Sequence, residues 1–232
     1  MCGIIGIFGT PDAALMASIG LFSIQHRGQE SCGMAVSDGK VIRLRKQMGL
    51  VKQVFDQDCL QTLKGSIAIG HVRYPTKGSA TEFNTQPHLV DTLSGPSYAL
   101  ASNGDIVNYQ EMRKFLEGEN VYFKSDNDGE LLVKYIAYQV MRKGEGIIEA
   151  IRNLMRDIKG AYSTVLCTRD ALYMFRDPHS IRPMVWGKTP QGVVVVASES
   201  VALDTLEITD RQEIPAAGII KVSDDGIRIL EN

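Results

Sequence analysis

A cysteine stands directly behind the initiator methionine and opens the run Met1-Cys2-Gly3-Ile4-Ile5-Gly6-Ile7. The residues after it are apolar and β-favouring, so residues 3 to 8 are expected to form a buried strand. Removal of Met1 is favoured by a small second residue, and it would leave Cys2 carrying both a thiol and a free α-amine. A thiol has a reference pKa of about 8.5 and an α-amine of about 7.7–8.0, so the amine can take the thiol proton near neutral pH. Nucleophile and base then share one residue at the head of a strand. The plain alternative is a small apolar cysteine packed at a strand start, because free cysteine is among the most buried residue types.

The rest of the chain decides between these readings. It has 232 residues, 44% of them hydrophobic and 22% charged, with a formal net charge of −2. Those values describe a soluble globular chain with no electrostatic reason to bind nucleic acid or an anionic membrane. No apolar run reaches the roughly 18 residues of a spanning helix. The N-terminus lacks a secretory signal, so the cytoplasm is the default compartment. Cys2, Cys32, Cys59 and Cys167 form no C-x-x-C pair, and His26, His71, His88 and His179 show no zinc-ligand spacing. Neither a metal, a cofactor nor a disulfide framework is expected. Cys59 and Cys167 read as core residues, and Cys32 is left open between packing and a second thiol near the site.

Patterning divides the chain into helices and short strands. A helix is expected over 13–25, capped by Thr10 or Asp12, with Leu15, Ile19, Phe22 and Ile24 on its apolar face. Strands at 33–37 and 40–46 flank the turn pair Asp38-Gly39, and one short helix follows at 51–63. A strand over 66–72 leads into a long polar loop, 74–95, of a length that is more often functional than neutral. The strand Tyr98 to Ser102 ends at Asn103-Gly104-Asp105. Asn108 with Glu111 has the form of a capping box, and helices follow at 128–142 and 145–157. The last third alternates short apolar runs with turn residues, as antiparallel strands do. There is no repeat and no linker, so residues 2–232 are expected to form one domain.

Arg27, Arg73, Asn103-Gly104 and Asp128 all fall in loops or at element ends, where functional side chains are displayed. Taken singly they are a solvated arginine, a turn and a helix cap. Taken with Cys2 they supply the parts for attack on an amide. Asn103 and the Gly104 N–H could hold an oxyanion, where one donor is worth about 3 kcal/mol. Arg73 and Asp128 could hold the carboxylate and amine of an amino acid, the guanidinium fork matching a carboxylate.

Seven segments in order carry a resemblance. They are Cys2-Gly3-Ile4-Ile5-Gly6, Gln25-His26-Arg27-Gly28-Gln29-Glu30, Gly70-His71-Val72-Arg73-Tyr74-Pro75-Thr76, Asn103-Gly104, Asp128-Gly129-Glu130, Arg176-Asp177-Pro178 with Ile181-Arg182-Pro183, and Ala197-Ser198-Glu199-Ser200. The chain resembles the class-II glutamine amidotransferase domains of the N-terminal nucleophile hydrolases, most closely those of glutamine phosphoribosylpyrophosphate amidotransferases. The resemblance implies an α+β fold, a four-layer α/β/β/α sandwich of two antiparallel sheets with the nucleophile opening a central strand. It implies hydrolysis of L-glutamine to glutamate and ammonia through a thioester on Cys2. By position, Arg73 and Asp128 would bind the glutamine backbone, Asn103 and Gly104 would form the oxyanion hole, and Arg27 would order the site. His71 and Thr76 would support it, and the loop after Arg73 would close over substrate. The family usually has Ser or Thr where this chain has Gly129, which leaves Asp126 as a competitor to Asp128.

Family enzymes continue into a phosphoribosyltransferase domain, and nothing before Asn232 matches its phosphate loop. The expectation is a stand-alone glutaminase subunit feeding a separate synthase, with a fragment of a longer protein as the other reading. A non-catalytic regulatory module and a different N-terminal nucleophile amide hydrolase are the alternatives. Whether the chain forms a homo-oligomer is left open by the sequence.

Overall fold

A computed structural model describes residues 1–75, 81–93 and 95–230. The apolar opening run forms the strand β1 (Gly3–Phe8), and it lies in the middle of a seven-stranded sheet. Its neighbours are β4 (Ile67–Arg73) on one side and β10 (Val194–Ala197) on the other. Beyond β4 come β2 (Ser31–Ser37) and β3 (Ile42–Met48), and beyond β10 come β9 (Val185–Lys188) and β11 (Arg211–Glu213).

The second sheet has six strands in the order β13 (Gly226–Leu230), β12 (Ile219–Ser223), β8 (Ala171–Arg176), β7 (Gly160–Cys167), β6 (Gly95–Ile106), β5 (His88–Thr92). Every pairing between these strands is antiparallel.

Three apolar cores separate four layers. Between the sheets lie Ile4, Ile67, Ile69, Ala99, Ala101, Val165, Met174 and Val196. The outer face of the first sheet carries Ile5, Ile7, Cys32, Met34, Ala68 and Val72 under α1 (Ala13–Ser23), α2 (Val51–Val54), α3 (Gln57–Thr62) and α7 (Ser200–Thr205). The second sheet is covered by α4 (Tyr109–Gly118), α5 (Asp128–Lys143) and α6 (Ile147–Asp157) over Leu100, Tyr162, Leu166 and Phe175. Because side chains alternate across a strand, both sheets are apolar on both faces. This is the expected α/β/β/α sandwich. Among the described residues no helix is long and apolar enough to cross a membrane.

Several local expectations are corrected. Helix α1 turns Ala13, Ala14, Ala17, Gly20 and Leu21 to the sheet and leaves Leu15 and Phe22 each 48% exposed, with Ile19 also exposed. Of the expected face only Ile24, just past the helix, is buried. Small residues win because the helix lies close: a Cβ on Gly20 would sit 2.1 Å from Cδ1 of Ile5, and one on Gly70 2.7 Å from Leu21.

The helix at 51–63 is two helices, the second capped by Asp56, whose Oδ1 accepts from the Cys59 N–H at 2.8 Å. The stretch 74–95 holds a 3-10 turn at Glu82–Asn84 and the strand β5. Asn103-Gly104 lies inside β6 opposite Ser163 and Tyr162, so that strand does not end there. Asn108 does not cap α4 with its side chain; instead its amide accepts from Lys159 N–H and donates to Asp157 O, tying α4 to the start of β7. Cys32 packs fully buried under the helices, and burial pushes its thiol up to about 12. Cys167 is core as expected, whereas Cys59 is only half-buried.

Charge is also buried. Burial, with nearby cations, holds His71 and His88 neutral down to about pH 3. Glu130 is pushed up by burial but pulled down further, to about 2, by the Lys124 N–H, Lys134 and Ser125. A histidine in the unfolded chain takes a proton near pH 6.5, well above the folded value. The two histidines therefore contribute stability that is present above pH 6.5 and falls by about 3 kcal/mol per unit as the pH drops toward 3. The Glu130 contribution is complete above about pH 4.5 and is lost as the pH falls through about 2. Urea unfolding is expected to show roughly 4 kcal/mol less stability at pH 5 than at pH 7. Equal midpoints would contradict neutral buried histidines.

Candidate active site

The inter-sheet faces are apolar until their last residues at one end. On β1 the row runs Ile4 to Cys2; on β4 it runs Ile67, Ile69, His71, Arg73; on β6 it runs Ala99, Ala101, Asn103. Period-two alternation puts Cys2, Arg73 and Asn103 on the same side as those core residues. Gly3 pairs with Val72, which brings Cys2 abreast of Arg73. Cys2, Arg73, Tyr74, Gln86, Ser102, Gly104, Asp105 and Asp126 to Asp128 line one cleft. It leaves a cavity of about 30 Å3, the room of one water. A roomier groove of about 520 Å3, lined by Leu15, Leu60 and Lys64 among others, contains none of the residues expected to attack or hold an amide.

Cys2 is held from behind. Arg27, itself buried, donates from Nε to the Cys2 carbonyl at 2.8 Å. Its Nη1 pairs with Glu199, whose other oxygen lies 2.9 Å from His26 Nε2. The Cys2 Sγ is 3.8 Å from the Tyr74 carbonyl. Burial pushes the thiol above its ordinary value, against the pull of the nearby Arg73 and Arg27 guanidiniums. A thiol so placed needs a base to ionise at neutral pH.

Arg73, which is buried, pairs with the partly buried Glu30. The Glu30 N–H donates to the Arg73 carbonyl at 3.1 Å, and Gly28 fits against the same backbone. A Cβ at Gly28 would lie 2.4 Å from the carbonyl carbon of Arg73. That close approach is what Gly28 permits between Arg27 and Arg73.

Asn127 caps α5 by accepting from the Gly129 N–H at 2.9 Å, and the same oxygen meets His88 at 3.1 Å. Asp128 is therefore the first helical residue, not the cap. Its Oδ2 accepts from the Ile106 N–H at 3.0 Å, which places it at the end of β6. Its competitor Asp126 also borders the cleft, but its exposed carboxylate is taken by Arg113 at 2.8 Å.

Asn103 is 2% exposed, and its Nδ2 has no partner among the described residues. An unmet buried donor costs about 1–3 kcal/mol. The Gly104 N–H follows from alternation: Ser102 and Ile106 turn theirs toward the cleft, to Gln86 Oε1 and Asp128 Oδ2, so Gly104 between them does the same. Across β7 the Tyr162 N–H is taken by Asp177 at 2.9 Å, in keeping with this register.

His71 is not at the cleft surface. Its ring is buried between the sheets beside the Ser102 backbone without a well-formed hydrogen bond. It is held neutral by burial. Thr76 and the other residues of 76–80, in the loop expected to close over substrate, lie outside the described residues. Glu30 and Glu199 fall within the segments that carry the resemblance, but their pairings with Arg73 and Arg27 span 43 and 172 positions and have no local signal. Gln86 has none either.

Two antiparallel sheets between helical layers, with a cysteine at the head of a central strand, define the N-terminal nucleophile hydrolase fold. The family profile described as glutamine amidotransferase domain matches residues 71–205, and the chain belongs to that family. Amidophosphoribosyltransferase 2, chloroplastic, of Arabidopsis thaliana is 39% identical over 228 residues, covering 98% of this chain and 40% of that protein. The amidophosphoribosyltransferase of Methanocaldococcus jannaschii is 39% identical over 229 residues, with 98% and 48% covered. The chain thus spans less than half the length of these curated relatives.

A solved structure of glutamine phosphoribosylpyrophosphate amidotransferase from B. subtilis, complexed with ADP and GMP, matches with a TM-score of 0.90 at 33% identity, over 99% of this chain and 49% of that one. A glutamine aminotransferase class-II domain protein from Silicibacter pomeroyi, at 14% identity and a TM-score of 0.62, shares the fold over 99% of both chains.

Gly28→Ala is expected to force the Arg27 turn away from Arg73, at a cost of about 1–3 kcal/mol. Thermal unfolding together with the rate of Cys2 alkylation by iodoacetamide checks this. An unchanged melting temperature and alkylation rate would show that the close approach does not matter.

Proposed function

We propose that this chain hydrolyses L-glutamine to glutamate and ammonia, with Cys2 as nucleophile. The observation that carries the reading is the unsatisfied buried donor Asn103 Nδ2 on the strand facing Cys2, beside which alternation along β6 turns the Gly104 N–H to the cleft. A polar group is left buried without a partner when something else supplies the partner, and an oxyanion is the partner two converging N–H donors fit.

In this reading Met1 is removed and the Cys2 amine takes the thiol proton, offsetting the rise that burial imposes. The sulfur adds to the δ-carbon of glutamine, and the amide oxygen becomes an oxyanion held by Asn103 and Gly104. The Cys2 ammonium then gives its proton to the departing nitrogen, so ammonia leaves and a thioester remains on Cys2. Water, with the amine again as base, adds to the thioester, and glutamate departs. Arg73 holds the substrate α-carboxylate and Asp128 its α-ammonium. The ammonia passes to an acceptor bound by a synthase domain or subunit outside these residues, as the length of the amidophosphoribosyltransferase relatives suggests.

The test is release of ammonia and glutamate from L-glutamine by protein whose intact mass shows Met1 gone. Cys2→Ala is expected to abolish it. Asn103→Ala is expected to lower kcat by about 10²–10³-fold with little change in KM, the effect of losing one oxyanion donor. Normal turnover by Cys2→Ala would end this reading.

A further inference from the structure

Gln86 lies outside the seven segments that carry the resemblance, yet it joins the two sheets at the cleft. It is buried, and its backbone carbonyl lies against β2: a Cβ on Gly33 would sit 2.2 Å from that oxygen. Lys46 Nζ donates to the preceding carbonyl, that of Thr85, at 2.6 Å. From this anchored position its side chain crosses to β6. The Ser102 N–H donates to Gln86 Oε1 at 2.7 Å, and Gln86 Nε2 donates to the Ser102 carbonyl at 3.1 Å.

These two bonds are what a neighbouring strand would supply. The β5–β6 ladder ends at the His88–Leu100 pair, so the next cleft-side rung of β6, at Ser102, has no strand beside it. The Gln86 carboxamide presents its oxygen and one of its two N–H groups along one edge, as a paired strand residue presents its own C=O and N–H, and it replaces that rung. The rung after Gly104, at Ile106, is held by Asp128. Gly104 is thus the single cleft-side N–H between two side-chain braces. The space for this brace depends on Gly129, where a Cβ would lie 2.4 Å from Gln86 Oε1.

We propose that Gln86 is a positioning residue for the reaction: its side-chain amide stands in for a missing strand rung at Ser102 and holds Asn103 and the Gly104 N–H in register for the oxyanion, in space left by Gly129. The proposal rests on the glutaminase reading given above. Gln86 touches β6 and not the reacting atoms, so it acts on the step in which the oxyanion forms.

The experiment compares processed wild-type protein with Gln86→Met, which keeps the length and loses both bonds. The expected result is a fall in kcat of roughly 100-fold, the effect of misplacing a catalytic group by about 1 Å. KM for glutamine is expected to stay within about threefold, and alkylation of Cys2 by iodoacetamide to be unchanged, while hydrogen exchange at the Ser102 amide accelerates. Gln86→Glu keeps an acceptor for the Ser102 N–H and loses the donor, so it is expected to fall between the two in kcat. It carries the comparison if Gln86→Met does not fold. Gly129→Ala, which expels the Gln86 side chain from outside, is expected to lower kcat in the same way.

An unchanged kcat in the folded variants overturns the proposal. So does a parallel loss of kcat, KM, alkylation and melting temperature, which would make Gln86 a structural residue only. Absence of turnover in the wild type would overturn the glutaminase reading itself, a separate result.

Discussion

The packing of two antiparallel sheets face to face is the constraint on which everything else here depends. It requires the inward residues of β1, β4 and β6 to be apolar along most of their length, since an unpaired polar group there is costly. Toward the rim the rows change character. Cys2 and Asn103 stand beyond Ile4 and Ala101, and on β4 the change begins one position deeper, with the buried His71 between Ile69 and Arg73. The apolar core thus fixes the relative heights of the chemical groups, and the strand registers fix which of them stand abreast.

Such a rim leaves backbone and charge to be satisfied, and the surrounding segments do this in pairs. Arg27 spans from the Cys2 carbonyl to Glu199, and Arg73 is matched by Glu30. On the opposite sheet Asp128 and Gln86 take the edge N–H groups on either side of Gly104. Each ion pair has at least one partner almost fully buried, where a lost partner leaves an uncompensated charge. Among the described residues Asn103 Nδ2 is one of several buried polar atoms left without a partner there, with Arg27 Nη2, Glu30 Oε2 and both His71 ring nitrogens, and of these only Asn103 lies on the second sheet.

Much of this architecture is legible in the sequence. Residues 3 to 8, the Asp38-Gly39 hairpin and the antiparallel last third can be read there because period two and turn residues are local properties. The buried face of α1 cannot, because the hydrophobicity of Leu15, Ile19 and Phe22 carries no information about distance. The helix lies so close to β1 and β4 that alanine and glycine fill the interface, and the large side chains face outward. Asn103-Gly104 has the composition of a turn but continues as a strand, because its ladder partners Ser163 and Tyr162 are some 60 positions away.

By itself the sequence determined the buried strand directly after Cys2, the antiparallel strands of the last third, and the set of side chains suited to attack on an amide. Those follow from residue type and short-range spacing. Tertiary structure alone decided which charges are paired, that Asp128 closes the end of β6 while Asp126 turns to Arg113, and that Gln86 supplies a rung the second sheet lacks. Each of these is a contact between segments distant in the chain. Its energy depends on burial and geometry that no local pattern of residues encodes.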